Sequence, residues 1–549
     1  MNVAEYLLRR LKSLGADHAF GVPGDFILPF FECLSASDVK HVATCNELNA
    51  GYAADGYARL KGIGVAVVTY GPGSFSVVNA IAGAQAEDVP LVLISGGPPT
   101  SAYQASPNPV LHHMLTNNYD ASIKVFEQVC EHAILLDDAA TVIEDIDRAL
   151  DICMSRKKPV FLEIPRDIQL LDINPPTQGA REGVTGADDE ATVQALSVLI
   201  ERIAQSSRTV ILPGHEIHRW QLQDRLVEML EKTGIAAGSM FIGKAEFLEH
   251  LPQCLGSYQG AASLEDVRNY IEEADTVIYL GAVPSDLNLG GFTAKLTGEQ
   301  TVTAWNNRLE MSEGSFENIS IVDVVDGLAS GLPANIMSDE NRPVQSFMHR
   351  PGMDYEVDPH AAVTSQRFYD RLADFFRPND IVLADASCAF NLAHTQFPEK
   401  TEFIASNYWA SIGMGFGAAL GACFAAGGKQ RVIAVEGDGS FQMTAQELSS
   451  MIRYGMSPIV IVINNQGYTA ERFIHDGDFN DIPGWRYHKL PETFGGGVGI
   501  EVRTEGELEM ALEQAADSTG DKLVLIEVHI DAYDVSDGFR TLCAAFRGH

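Results

Sequence analysis

Cysteine is sparse and scattered. Cys33, Cys45, Cys130, Cys153, Cys254, Cys388, Cys423 and Cys543 are the only eight in 549 residues, and no two form a CxxC pair. That argues against a disulfide framework or a zinc ribbon and suggests buried thiols in a reducing compartment. Basic residues are also few. Lysine and arginine number 38 against 74 aspartates and glutamates, a formal charge of −36, so a nucleic-acid partner is disfavoured and the excess acid reads as solvated surface. An anionic substrate would then need a locally positive pocket, which bound cations could supply.

Unbroken membrane-length apolar runs are missing too. Gly62–Ala86 and Phe403–Gly428 are uncharged and long enough on paper, but Tyr70-Gly71-Pro72-Gly73-Ser74 interrupts the first, and Ser406-Asn407 and repeated glycines interrupt the second. Both read as strand, turn and buried helix, and no membrane association is expected. The opening MNVAEYLLRRLKSLG puts Val3, Tyr6, Leu7 and Leu11 on one helical face with charge interspersed. It is unlike a signal peptide and reads as the first helix of a cytoplasmic protein. No short tandem repeat is visible.

What is present is a long alternation of helical and β-rich segments, with 46% hydrophobic residues to build cores. From residue 1 to about 170, Glu47–Lys61 reads as helix, Gly64–Thr69 as strand, Ser74–Glu87 as helix, and Val89–Ser95 and Pro159–Ile164 as strands. Such alternation predicts a parallel sheet covered on both faces, with function at the strand-end loops. A turn-rich stretch, Asp172–Asp189, reads as a linker. Beyond it, Thr192–Ile203 and Glu216–Lys232 read as helices, and Thr209–Pro213 and Thr276–Leu280 as strands. A polar stretch, Ser338–Pro359, precedes a third region that begins near Ala361 with a helix and the strand Asp380–Asp385. The expectation is α/β, three domains of parallel sheet flanked by helices, over 1–172, 190–337 and 360–549.

The densest chemistry lies between Val435 and Glu471. A β-forming run, Arg431–Val435, turns at Glu436-Gly437-Asp438-Gly439-Ser440, enters a helix and returns through Pro458–Ile463 to Asn464-Asn465. The glycines flanking Asp438 allow close approach of an anion, and the helix start points its positive end there. If the two strands are near neighbours in a parallel sheet, the Asp438 carboxylate and the Asn465 amide oxygen meet at one edge, an arrangement suited to Mg²⁺ bridging protein and diphosphate.

This GDG-to-NN pattern resembles the signature of thiamine diphosphate (ThDP) enzymes. Gly21-Val22-Pro23-Gly24-Asp25, Cys45-Asn46-Glu47-Leu48-Asn49-Ala50, His112-His113, the GDGS and NN elements, Gly467-Tyr468-Thr469-Ala470-Glu471 and Ile474-His475-Asp476-Gly477 follow in order. Together they resemble the pyruvate and indolepyruvate decarboxylase branch over nearly the whole chain. The resemblance implies the ThDP-binding fold and non-oxidative decarboxylation of a 2-oxo acid to an aldehyde and CO₂, with ThDP and Mg²⁺.

It also implies roles. Glu47 would hydrogen-bond N1′ of the aminopyrimidine, and burial would raise its pKa and favour a shared proton. Ile412 would be the apolar wedge that bends the cofactor. Ala410, where the family usually has Gly, would offer its carbonyl to the aminopyrimidine. Asp25, His112, His113 and Glu471 would carry protons above the thiazolium. Asp438, Asn465 and the Gly467 carbonyl would hold the metal, and the Gly439 and Ser440 amides the diphosphate. Pairing of first and third domains across a subunit interface implies a homo-oligomer, a dimer at minimum and a tetramer by family habit.

Two departures stand out. Asp385-Ala386-Ser387-Cys388-Ala389 replaces a Glu-(Thr/Gln)-Gly-x-Ser pattern, which puts side-chain contacts to the cofactor in this loop in doubt. Leu287 and Phe390 stand where pyruvate-specific members carry Tyr and Trp, so a branched or aromatic 2-oxo acid is expected, with pyruvate also within range. Two alternatives share some of these motifs. A carboligase of the acetolactate synthase type should lack His112, His113 and Glu471 and often carries a flavin, for which 190–335 shows no fingerprint. A non-catalytic ThDP-binding oligomer should have lost the acid–base set.

Overall fold

A computed structural model gives the fold and describes residues 1–115, 118–175, 189–337, 342–353, 355–517, 520 and 522–547. Short runs rich in Val, Ile and Leu form strands, and parallel pairing buries both faces of each run, so the runs carry little polar alternation. The first six strands are β1 (His18–Gly21), β2 (Lys40–Ala43), β3 (Gly64–Thr69), β4 (Leu91–Gly97), β5 (His132–Leu135) and β6 (Val160–Pro165). They make one parallel sheet in the order β2-β1-β3-β4-β6-β5.

The second sheet contains β7 (Thr209–Pro213), β8 (Ala236–Met240), β9 (Cys254–Tyr258), β10 (Thr276–Leu280), β11 (Thr301–Trp305), β12 (Arg308–Met311) and β13 (Gly314–Glu317). Its order is β13-β12-β11-β10-β7-β8-β9. β11, β12 and β13 pair antiparallel, a meander added to the edge of an otherwise parallel sheet. The third sheet contains β14 (Ile381–Ala384), β15 (Glu402–Ile404), β16 (Val432–Gly437), β17 (Ile459–Asn464), β18 (Val498–Val502) and β19 (Val524–His529). It is parallel in the order β15-β14-β16-β17-β19-β18.

The opening helix spans Val3–Ser13, with Asn2 and Glu5 closing a capping box and Val3, Tyr6, Leu7 and Leu11 buried as expected. Two expected helices are instead broken. Ser74–Glu87 is divided into Pro72–Ser76 and Val78–Ala86. Glu216–Lys232 is divided into His215–Arg219 and Gln223–Thr233, because Gln221 adopts φ 55°, which a right-handed helix cannot continue through. The strand expected at Val89–Ser95 runs Leu91–Gly97, starting after Pro90. Of the expected linkers, 176–188 and 338–341 with 354 lie outside the described residues. Among the described residues no helix is long and apolar enough to cross a membrane.

Helix Glu47–Lys61 begins with Asn46, whose side chain accepts from the Asn49 amide at 2.8 Å, and ends at Gly62 in the left-handed conformation. It packs directly on helix Met414–Ala426. Both carry small residues at the crossing. A Cβ on Gly56 would lie 2.4 Å from the Ala418 carbonyl oxygen, and one on Gly421 would lie 1.9 Å from that of Ala53. The two backbones thus touch, and one hydrophobic cluster runs from the first sheet into the third. A second cluster joins Phe241, Ile242 and Ala262 of the middle region to the other face of the third sheet.

Replacing Gly421 by Ala is expected to force these helices apart and cost about 1–3 kcal/mol, the range for overpacking a core. An unchanged thermal or urea unfolding midpoint would show that the crossing yields freely.

Candidate active site

The candidate residues gather at the carboxyl ends of parallel strands. Asp25 follows β1, Glu47 follows β2, Gly71 and Gly73 follow β3, and His112 and His113 follow β4. In the third sheet Asp385 follows β14, residues 408–413 follow β15, Asp438 follows β16 and Asn465 follows β17. Loops at this edge are where an open α/β sheet binds ligands.

Asp438 opens helix Asp438–Thr444 and is 1% exposed. Its carboxylate accepts from the Gly439 amide at 2.9 Å and the Gln466 amide at 2.7 Å. Because β16 and β17 are neighbours with Gly437 opposite Ile463, the chain after β17 arrives beside Asp438. The Asn465 side-chain oxygen lies 3.2 Å from Asp438 Oδ1 and 3.0 Å from the Gly467 carbonyl oxygen. A rotated amide donates to both and accepts from the Thr469 hydroxyl at 2.8 Å, whereas with its oxygen inward Asn465 completes a set of three oxygens that a hard divalent ion suits. Burial pushes Asp438 up to about 6, against the opposing pull of the Gln466, Gly439 and Gly467 amides. Arg472 anchors the loop by donating to the carbonyls of Asn465 at 3.1 Å and Gln466 at 2.6 Å. Gly467, at φ 148°, has no room for a side chain, since a Cβ would sit 2.2 Å from the Asn480 carbonyl oxygen. Ser440 is buried on the same turn, while the Gly439 amide is turned toward Asp438 itself.

The 408–413 segment is clamped from several sides. Asp385 accepts from the Gly413 amide at 2.7 Å and the Gly415 amide at 3.0 Å. Thr444 donates to the Gly413 carbonyl at 2.9 Å, tying the segment to the Asp438 helix. Ser411 meets Tyr52 and Asn79, each at 2.7 Å. Buried Glu87, paired with Arg59 at 2.8 Å, accepts from the Tyr408 amide at 3.0 Å and the Trp409 amide at 2.9 Å. Ala410 sits at φ 55° and Gly413 at φ 89°, so the position where the resemblance expects Gly is left-handed here but filled by Ala. Ile412 between them is half-buried.

Behind this segment two carboxyl groups meet. Glu436 is fully buried, and a Cβ on Gly415 would fall 2.5 Å from its Oε1. Burial and then the neighbouring Asp385 carboxylate raise Glu436 well above the usual range. Asp385 is pushed up to about 6 by burial, opposed by the Gly415 amide, Glu436 and the Gly413 amide.

Glu47 is half-buried at the first turn of its helix. Gly73 borders the carboxylate, and a Cβ there would lie 3.6 Å from its Oε1, an ordinary contact. His112 Nε2 is 2.9 Å from Asp25 Oδ2, and the His112 and His113 rings are 4.4 Å apart. Tyr70 donates to the His112 carbonyl, and Phe26 packs against both imidazoles. This group is open, with Asp25 and His112 half or more exposed. Glu471 is exposed on helix Thr469–Ile474 and stands outside the group formed by Asp25, His112 and His113 within one chain. Phe390 is 1% exposed, with Phe539 at 5.2 Å and His394 at 4.7 Å, and Leu287 packs on the same cluster.

Glu436, Glu87 and Arg472 are site residues that the sequence reading passed over. The first had a visible signal, a lone carboxylate inside the apolar run of β16. Glu87 stands at the end of an uncharged run, a weaker mark of the same kind.

The fold and this edge are those of a ThDP enzyme, and comparison with known proteins agrees. Residues 1–122 match the thiamine pyrophosphate enzyme N-terminal TPP binding domain, 196–323 the central domain and 385–528 the C-terminal TPP binding domain. The alpha-keto-acid decarboxylase of Mycobacterium leprae is 35% identical over 544 residues, 97% of this chain and 93% of that protein. That of Mycobacterium tuberculosis H37Rv is 34% identical over 541 residues, 97% and 95% respectively. The pyruvate decarboxylase of Aspergillus fumigatus is 32% identical over 560 residues, 99% and 97%. The chain belongs to the ThDP-dependent 2-oxo acid decarboxylase family.

Asp385→Ala should leave the Gly413 and Gly415 amides unpaired and loosen the Ile412 segment. The expected outcome is a ThDP affinity at least about tenfold weaker, with Asp385→Glu recovering part of it, the scale of a lost charged hydrogen bond. Titration by quenching of intrinsic fluorescence reads this, and unaltered affinity in Asp385→Ala would remove the clamp from the account.

Proposed function

We propose that this decarboxylase converts a branched or aromatic 2-oxo acid to its aldehyde and CO₂, with pyruvate also within its range and Mg²⁺ as the metal. The observation that carries the reading is the Asp25, His112 and His113 group, an acid and two imidazoles held together on the edge that bears Glu47. Such a group sets proton donors and acceptors side by side, which protonation of the product requires. A carboligase of the acetolactate synthase type has no need of it.

When bound, ThDP supplies the electron sink for the pair released as CO₂ leaves. Glu47 would share a proton with the aminopyrimidine, and the Ala410 carbonyl and Ile412 would hold the cofactor in place. Asp438, Asn465 and the Gly467 carbonyl would hold Mg²⁺, with Ser440 toward the diphosphate and the Gly439 amide fixing the Asp438 carboxylate instead. Asp25, His112, His113 and Glu471 move protons to and from the substrate. Leu287 and Phe390 shape the pocket, where smaller or less polar side chains than Tyr and Trp leave volume for a bulky substituent.

Glu471, Ile412 and the metal ligands belong to the third domain, whereas Glu47, Asp25 and the histidines belong to the first. That division supports a site completed by a second copy of the chain, hence a dimer at minimum, with a tetramer as the working assembly. The domains are taken as 1–172, 190–337 and 360–549, and the compartment as the cytoplasm, in keeping with eight unpaired cysteines.

With ThDP and Mg²⁺, purified protein should release aldehyde from phenylpyruvate, indolepyruvate or 2-oxoisovalerate. Glu47→Gln should lower kcat by at least about 100-fold with its circular dichroism unchanged, the lower end for a positioned acid–base group. Turnover of pyruvate alone would overturn the pocket assignment, and acyloin formation without aldehyde would make the enzyme a carboligase. Protons and Mg²⁺ compete for the same Asp438 oxygens, so Mg²⁺-dependent ThDP binding should be full above about pH 6 and weaken as pH falls through it. Equal affinity at pH 5 and pH 7.5 would contradict that.

A further inference from the structure

Where the three sheets meet there is a buried charge cluster that the reaction does not use. Its cations are already engaged. Arg59 pairs with Asp55 at 2.6 Å and Glu87 at 2.8 Å, and Lys158 pairs with Asp88 at 2.5 Å. Lys244 is bound to Glu249 and donates to the Thr395 carbonyl at 2.7 Å, and Arg219 donates to the Glu87 carbonyl at 3.1 Å. Glu246 and Glu402 are left over. Among the described residues no lysine or arginine nitrogen lies within 4.0 Å of either carboxylate. Glu246 is 6% exposed, and its Oε2 is buried with no hydrogen-bond partner. Leaving such an atom unsatisfied costs about 1–3 kcal/mol, and more if it is charged.

The third member is His218. Its Nε2 lies 3.0 Å from the Lys244 carbonyl, which can only accept, so Nε2 carries the proton and Nδ1 the lone pair. Nδ1 is 3.7 Å from Glu246 Oε1. One ligand atom from each of His218, Glu246 and Glu402 falls within 4.8 Å of the other two. An imidazole whose second nitrogen donates to a backbone carbonyl is the arrangement that orients a metal-binding histidine. Among the described residues the only donor on Nδ1 is the Gln223 amide at 3.4 Å, a long contact from a half-buried side chain that can swing away. A cavity of about 50 Å³, lined by His218 and Glu402 and also by Arg59, Arg219 and Lys244, lies beside two of the three groups and can take a water as well.

We propose that His218, Glu246 and Glu402 form a second divalent-cation site, separate from Asp438. One nitrogen and two carboxylates favour a borderline ion such as Zn²⁺, Mn²⁺ or Co²⁺ over Mg²⁺ or Ca²⁺, which prefer all-oxygen sets. Two negative charges would then be matched by one ion. The site ties the middle domain, through His218 after β7 and Glu246 between β8 and β9, to the first residue of β15 in the third domain. A few residues beyond β15 the chain enters the segment held by Glu87.

The test uses holoenzyme stripped of trace metals and reloaded with ThDP and excess Mg²⁺. Zn²⁺ is titrated by calorimetry and Co²⁺ by its visible absorption. One ion per chain should bind, raise the unfolding midpoint and give Co²⁺ bands of nitrogen and oxygen ligation. Glu246→Gln and Glu402→Gln should each weaken binding at least about tenfold, the usual cost of disturbing such a site, and abolish the midpoint shift. Glu402, at a strand start and only partly buried, gives a variant expected to fold if Glu246→Gln does not. Asp438→Asn should leave the Co²⁺ spectrum unchanged. No stoichiometric uptake by folded protein, or uptake identical in both glutamate variants, would overturn the site and leave Glu246 and Glu402 as a pair of protonated acids.

Discussion

The near-contact of helices Glu47–Lys61 and Met414–Ala426 is the constraint on which the rest of the molecule depends. Small residues at Ala53, Gly56, Gly417, Ala418 and Gly421 let the two backbones touch, and the attraction gained is dispersion at interior density. That contact sets the first and third sheets at one fixed separation. The Glu47 end of one helix and the Gly413 end of the other are thereby placed by rigid elements, which position functional groups better than loops do.

Buried charge supplies the second layer of order. Glu87 binds Arg59 on one side and two consecutive amides on the other, so a single carboxylate connects the first domain to the segment carrying Ala410 and Ile412. Asp385 does the same from within the third domain, with Glu436 buried behind it. Each is stable only because its partners are complete. A buried carboxylate missing one of its donors would cost more than the bond itself is worth.

Much of this was legible in the residues. The GDG-to-NN spacing located the meeting of Asp438 and Asn465, because two adjacent parallel strands bring their ends together whatever else the chain does, while Gly467 came only from the resemblance. Strands Gly64–Thr69, Thr209–Pro213 and Thr276–Leu280 fell where β-branched runs put them. Other features were hidden for physical reasons. The break at Gln221 depends on a backbone angle that no periodicity encodes. Asp385 read as a defect in a motif, since its value lies in amides that are close in space and distant in sequence. Glu471 cannot be placed beside His112 by one chain's contacts. Leu287 and Phe390 come from different sheets, and only the shared hydrophobic cluster relates them.

The third sheet lends one face to the first domain and the other to the middle domain, so it has little core that is wholly its own. During synthesis this has an order. The first two sheets emerge early, yet the small-residue face of helix Glu47–Lys61 and the apolar surface around Phe241 and Ile242 must wait for the last third of the chain before they are covered. Early domains therefore pass through a stage with exposed apolar surface, the condition in which nascent proteins aggregate or engage chaperones. The contact that makes the finished enzyme rigid makes its assembly depend on its carboxyl-terminal end.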